Sequence, residues 1–178
     1  MAEIITQPLS SHCGIVAATI GMFDGVHRGH LWLIEQLRSW AAARGLKSAV
    51  VTFRDHPQNV LRPDDGLQLI MPLSCRLDLI AATGIDYIVL MDFTSELSRL
   101  DSSGFMRLLR DDYATAAILM GFNHRFGHNR NEQLADYVRH GSELGIEVAR
   151  AKEYLAQYAP ISSSIIRRLL LSGDVAEA

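Results

Sequence analysis

Five short apolar runs, spaced at roughly thirty-residue intervals and separated by stretches of helical period, constrain this chain more than any other feature. They are "GIVAATI" (14–20), "KSAVVTF" (47–53), "DYIVLMDF" (86–93), "TAAILM" (115–120) and "IEVARA" (146–151). Runs that are apolar on both faces belong in a sheet covered on both sides, which is the habit of parallel strands. The segments between them supply the cover. In "HLWLIEQLRSWAAARG", Leu31, Ile34, Leu37 and Ala41 fall on one stripe, and "LSCRLDLIAATG" and "NEQLADYVRHGSELG" behave alike. These segments end in "ARGL", "ATGI" and "ELGI", each with a glycine where a left-handed residue closes the last helical turn. The fold class expected is α/β: an open, doubly wound, mostly parallel sheet of about five strands linked by right-handed crossovers.

At 178 residues the chain reads as a single domain over 1–178, with its core at 14–174. That length buries roughly 70% of the unfolded surface without staples. The formal net charge is −3 and no long basic run occurs, so no nucleic-acid partner is expected. Cys13 and Cys75 read as reduced, semi-buried residues. The N-terminus lacks the pattern of a leader, and no apolar run nears the about 18 residues that span a bilayer. A cytoplasmic protein with no membrane partner is expected.

Ligands of such sheets bind beyond the carboxyl ends of the strands, where helices begin. Two helix starts carry chemistry. "GMFDGVHRGH" (21–30) puts His27 and His30 ahead of the first long helix. "PISSSIIRR" (160–168) puts Ser162, Ser163 and Ser164 at the start of the last, with Arg167 just inside it. A helix N-terminus offers free N–H groups and roughly half a positive charge, which favour an anion. Gly21, Gly25 and Gly29 allow the backbone a sharp turn and close approach. Neither the Walker phosphate loop nor the dinucleotide-binding glycine fingerprint is present. The residues therefore read as a nucleotide or polyphosphate site between two helix starts. The histidine pair, with His56, His124 and His128, could alternatively hold zinc. No acidic residue or cysteine lies at ligand spacing from the pair, and a helix's first turn disfavours a cation, so no metal site is expected.

Four stretches together resemble the bacterial FAD synthetases, within the HxGH nucleotidyltransferases. They are "TIGMFDGVHRGH" (19–30), "VVTFRDHP" (50–57), "GFNHRFGHNR" (121–130) and "ISSSIIR" (161–167), and the resemblance runs from Val16 to Ala178. It implies a Rossmann-like nucleotidyltransferase fold and transfer of AMP from ATP to FMN, giving FAD and pyrophosphate. The FMN phosphate would attack the α-phosphorus in line, with no covalent enzyme intermediate. The resemblance assigns His27, His30 and Arg167 to catalysis, and Gly21, Phe23, Asp24, Gly25, Gly29, Ser162, Ser163 and Ser164 to ATP. It assigns His56, Pro57, Asn123, Arg125 and Phe126 to FMN. Mg2+ is expected as the companion of ATP, held largely through phosphates and water. The partners implied are these small molecules and a riboflavin kinase domain, fused or separate.

His124 stands where many members carry an aromatic. Bacterial members usually continue into a β-barrel that phosphorylates riboflavin, whereas this sequence stops at "SGDVAEA", so no riboflavin kinase activity is expected in these 178 residues. Two alternatives accompany this reading. One is another phosphate-bearing acceptor: pantetheine phosphate, nicotinate mononucleotide or glycerol phosphate. The other is a flavin- or nucleotide-binding module without turnover. Plainer readings stand beside the site residues too. The serines could be only a helix cap, "RLLRDDY" (107–113) an exposed charged helix end, Trp32 and Trp40 packing residues, and His12 and His140 ordinary histidines. The segment 54–72 reads as a long structure-poor loop, a length that is usually functional.

Overall fold

Strands and helices alternate as the periodicity predicts in the computed structural model, which describes residues 2–8, 15–62, 64, 66–129, 131–155 and 161–178. His12 and Cys13 lie outside the described residues. In chain order the elements are β1 (Glu3–Ile5), β2 (Val16–Ile20), α1 (Arg28–Ala42), β3 (Lys47–Phe53), α2 (Pro57–Leu61), α3 (Leu73–Ala82) and β4 (Tyr87–Met91). There follow α4 (Ser95–Arg99), α5 (Ser102–Tyr113), β5 (Thr115–Met120), α6 (Leu134–Leu144), β6 (Glu147–Arg150) and α7 (Ser163–Ser172). The sheet order is β1-β4-β3-β2-β5-β6, with every pairing parallel. The chain winds outward from β2 through β3 to β4, then returns to lay β5 and β6 on the other side of β2. The winding reverses between β2 and β5, and such a reversal is the switch point beside which open α/β sheets bind their ligands.

Alternation within β2 divides the core in two. Val16, Ala18 and Ile20 join Val51, Val89 and Ile118 beneath Phe105, Met106 and Leu109 of α5 and Tyr137 of α6. Ala17 joins Val50, Ile88 and Ala117 beneath Ile34, Leu37 and Ala41 of α1 and Ile80 of α3. The alanines on the central strand let the helices approach closely on both faces.

Several details differ from the sequence reading. The sheet has six strands, because Glu3–Ile5 pairs with the far edge of β4; a three-residue run shows no periodicity. Leu31 is 43% exposed and leaves the α1 stripe to its neighbours. Residues 107–113 are more than an exposed end, since Leu109 and Tyr113 anchor α5 in the core. Cys75 is a free thiol but exposed, on the outer side of α3. The segment 54–72 contains α2, and Asn59 ties it internally by accepting from the Leu67 N–H at 2.9 Å. Trp40 packs under the Arg44 guanidinium at 4.2 Å, and Trp32 donates to the Lys152 carbonyl at 3.2 Å, so both serve as packing residues.

Candidate functional site

The turn leaving β2 is built under strain. Gly21 extends the ladder by donating to the Val51 carbonyl at 3.0 Å. Phe23 (φ 53°), Gly25 (φ 82°) and Val26 (φ 36°) then enter the left-handed region within four residues. For Phe and Val this costs on the order of 1 kcal/mol or more each, and it persists only where the surroundings over-determine it. Here Phe23 is buried in the core between α1 and α3, and Thr52 Oγ1 donates to the Met22 carbonyl at 3.2 Å. The Asp24 carboxylate, 1% exposed, accepts the Ile70 N–H at 3.0 Å on each oxygen. The strained turn aims the start of α1 at the switch point.

His27 caps α1 with its own ring, as Nδ1 accepts the His30 N–H at 3.3 Å. Nδ1 is therefore the bare nitrogen, and Nε2 carries the hydrogen and can donate. The His27 and His30 rings stack with centroids 3.7 Å apart and planes 16° apart, and Phe23 lies 5.0 Å from His30. Gly29 makes room for the stack: a Cβ there would come within 3.2 Å of the His27 ring. Burial lowers the His27 pKa. His30 is pushed down to about 3, first by burial and then by the charges of His27 and His124. Both shifts favour the neutral imidazole near pH 7, the form that offers an N–H without a full charge. His30 Nδ1 is buried without a hydrogen-bond partner among the described residues.

The loop after β5 borders the same place. A Cβ on Gly121 would meet Leu33 of α1 at 3.3 Å, so this loop runs close against the helix. Asn123 and Arg125 are exposed on it. Phe126 is not: it is 7% exposed, packs against Tyr137 at 4.8 Å, and its carbonyl accepts the Tyr137 hydroxyl at 2.8 Å. Phe126 anchors this loop in the core, beneath the exposed Asn123 and Arg125.

The last helix is brought to this turn by Asp24. Arg167 Nη2 donates to the Asp24 carboxylate at 2.8 Å, and Ser163 Oγ donates to the Asp24 carbonyl at 2.8 Å. Ser162 is the N-cap of α7, its hydroxyl accepting the Ile165 N–H at 3.3 Å, while Ser164 is exposed. The structure thus gathers His27, His30, Asp24, Ser163 and Arg167, and it commits Ser162 to capping. His56 caps α2, with Pro57 in its first turn and Nδ1 accepting the Gln58 N–H at 3.1 Å. Burial, then the positive charges of Arg167 and Arg76, lower the His56 pKa, although Asp24 opposes them.

One residue escaped the sequence reading. Arg76 on α3 is wholly buried at the exit of β3. Its signal was available: it stands four residues before Ile80, on the core face of an amphipathic helix where a charge is out of place. Among the described residues no group of three or more acidic, histidine or cysteine side chains could hold a metal ion, and no helix is long and apolar enough to cross a membrane.

Two helix N-termini, two neutral imidazoles and an arginine come together beside the switch point of a parallel sheet, the place where open α/β folds bind their ligands, and the chain carries no glycine-rich phosphate loop. The family model described as FAD synthetase matches residues 10–165, a span holding the histidine turn, the β3 exit and the start of α7, and the chain belongs to that family. It is 30% identical over 164 residues to the bifunctional riboflavin kinase/FMN adenylyltransferase of Listeria monocytogenes, covering 89% of this chain and 51% of that protein. Against the enzyme of the same name from Pseudomonas fluorescens it is 32% identical over 169 residues, covering 92% and 52%. The chain thus spans about half the length of the curated relatives it matches. Among solved structures, a protein from Streptococcus pneumoniae described as a macrolide-efflux protein superposes with a TM-score of 0.85 at 26% identity. That match covers all of this chain and 69% of the other.

Proposed function

We propose that this chain is an adenylyltransferase unit that transfers AMP from ATP to FMN, releasing pyrophosphate and forming FAD. The observation that carries the reading is the stacked, neutral pair His27 and His30 at the N-terminus of α1, beside the turn where Asp24 holds Arg167. In-line attack by the FMN phosphate on the α-phosphorus asks the protein for positioning and for donors to the phosphoryl oxygens. His27 Nε2–H and His30 supply neutral donors at a helix start, where the dipole adds to them. Asp24 holds Arg167 in place through Nη2, and the rest of the guanidinium supplies donors for the departing pyrophosphate. ATP enters as its magnesium complex, with the metal carried by the phosphates and water. The loops after β3 and β5, with His56, Pro57, Asn123 and Arg125, receive the FMN, and Phe126 holds the second loop from below.

A chromatographic assay of the purified protein with FMN, ATP and magnesium tests the reading, with riboflavin and ATP in parallel. FAD is expected from FMN and none from riboflavin, which lacks the attacking phosphate. Absence of FAD from a folded, ATP-binding protein would overturn FMN as the acceptor and turn the assay to other phosphate-bearing acceptors.

A further inference from the structure

Arg76 is 0% exposed, yet no carboxylate forms an ion pair with it among the described residues. Its Nη2 donates to the Phe53 carbonyl at 2.5 Å and reaches the Arg54 carbonyl at 3.4 Å. Nε and Nη1 are buried with no hydrogen-bond partner among the described residues. Burial lowers its pKa, and the charges of Asp24 and Asp55 oppose that. A core position beside Ile80 would be filled more favourably by an apolar side chain, because a buried cation without a paired carboxylate is expensive. Packing therefore does not account for an arginine here.

The groups it does hold are informative. Phe53 ends β3, and Arg54 makes the last ladder contact by donating to the Met91 carbonyl at 2.9 Å. The chain then turns through Asp55 into His56 and Pro57. Arg76 holds the Phe53 carbonyl and reaches the Arg54 carbonyl, the two groups at which strand becomes loop, and two residues later His56 caps α2. Its charge is felt by both halves of the site: Asp24, which holds Arg167 and α7, opposes the lowering of the Arg76 pKa, and Arg76 adds a small downward push on His56 after burial and Arg167.

We propose that Arg76 is a positioning residue for the acceptor half of the site: it fixes the exit of β3 so that His56 and Pro57 are held against the nucleotide half built on Asp24 and Arg167. The acceptor's identity as FMN rests on the adenylyl-transfer reading; the positioning role does not. A side chain that only filled the core would affect all parts of the fold alike, whereas this one acts on a single loop.

The test compares the parent chain with Arg76→Met and Arg76→Lys by two measurements. The first is amide hydrogen exchange without ligand. In Arg76→Met, exchange across residues 54–62 is expected to rise by about tenfold or more, the loss of a charge-assisted hydrogen bond, while α1 is unchanged. The second is steady-state FAD formation. The KM for FMN is expected to rise by about tenfold while kcat and the KM for ATP stay within about threefold, and Arg76→Lys is expected to recover much of both effects. Equal acceleration of exchange in α1 and in 54–62, a parallel fall in the FMN and ATP parameters, or no change in either measurement would overturn the proposal. If the parent chain makes no FAD, the adenylyl-transfer reading fails, and the exchange comparison still decides the role of Arg76. If Arg76→Met does not fold, Arg76→Gln, which keeps an uncharged donor, takes its place with the same expectations.

Discussion

Replacing His30 with asparagine should remove a titration that the fold suppresses, and the size of the effect follows from the site. In the unfolded chain the imidazole titrates at its ordinary 6.5; in the fold, burial and the charges of His27 and His124 hold it down to about 3. Above 6.5 neither state binds the proton, and His30 adds no pH dependence. Below 6.5 the unfolded state takes up a proton that the folded state refuses, so stability is lost progressively until the fold itself protonates near 3. Between 6.5 and about pH 5 that loss amounts to about 2 kcal/mol. Any folded value well below 5 gives the same figure, because only the unfolded chain is titrating there. Urea unfolding of the parent and of His30→Asn, each at about pH 7.5 and about pH 5, isolates the effect, since the remaining groups are common to both chains. The parent is expected to lose about 2 kcal/mol more than the variant on acidification. Equal losses would mean that His30 titrates freely in the fold, and its role as a neutral donor would be refuted.

Turnover gives a second handle on the same side chain. His30→Ala is expected to lower FAD formation at least about 10²-fold, the range for removing one oxyanion-type donor, with FMN binding by flavin fluorescence little changed; unaltered turnover would remove His30 from the chemistry. Gly127 has φ +87°, and a Cβ there would lie 2.6 Å from the Ser102 backbone nitrogen. Gly127→Ala should therefore cost about 3 kcal/mol in urea unfolding, and a loss below about 1 kcal/mol would show that the loop after β5 yields freely. Asp24→Asn strips a nearly fully buried carboxylate from Arg167 and from the Ile70 N–H. It should cost about 3 kcal/mol and raise the KM for ATP, whereas an unchanged melt and KM would contradict the junction role of Asp24.

The outlines of this protein were legible where the determining physics is local. Runs such as Lys47–Phe53 and Thr115–Met120 are apolar on both faces, and that pattern alone demands a sheet covered on both sides. The histidine turn was legible for the same reason. A helix start, its cap and its dipole are properties of a few consecutive residues, and His27 caps α1 through a bond spanning three. The strand β1 was missed because three residues carry no period, and its place at the far edge of β4 comes from pairing, not pattern. Phe126 belongs to the loop that the resemblance assigns to FMN, and the packing of its ring against Tyr137 and Phe105 in the core is set by tertiary contacts that no local pattern shows.

What the sequence by itself determined was the fold class, the two chemically loaded helix starts and the residue types that suit phosphate. Only the tertiary structure decided how those parts meet. Asp24 binds Ile70 across 46 positions of sequence and Arg167 across 143, and Arg76 reaches Phe53 across 23. Such pairings arise because a buried charge must find partners in a low-dielectric interior. Which partners lie within reach is set by where the winding of the sheet places them, and no local pattern in the chain encodes that distance.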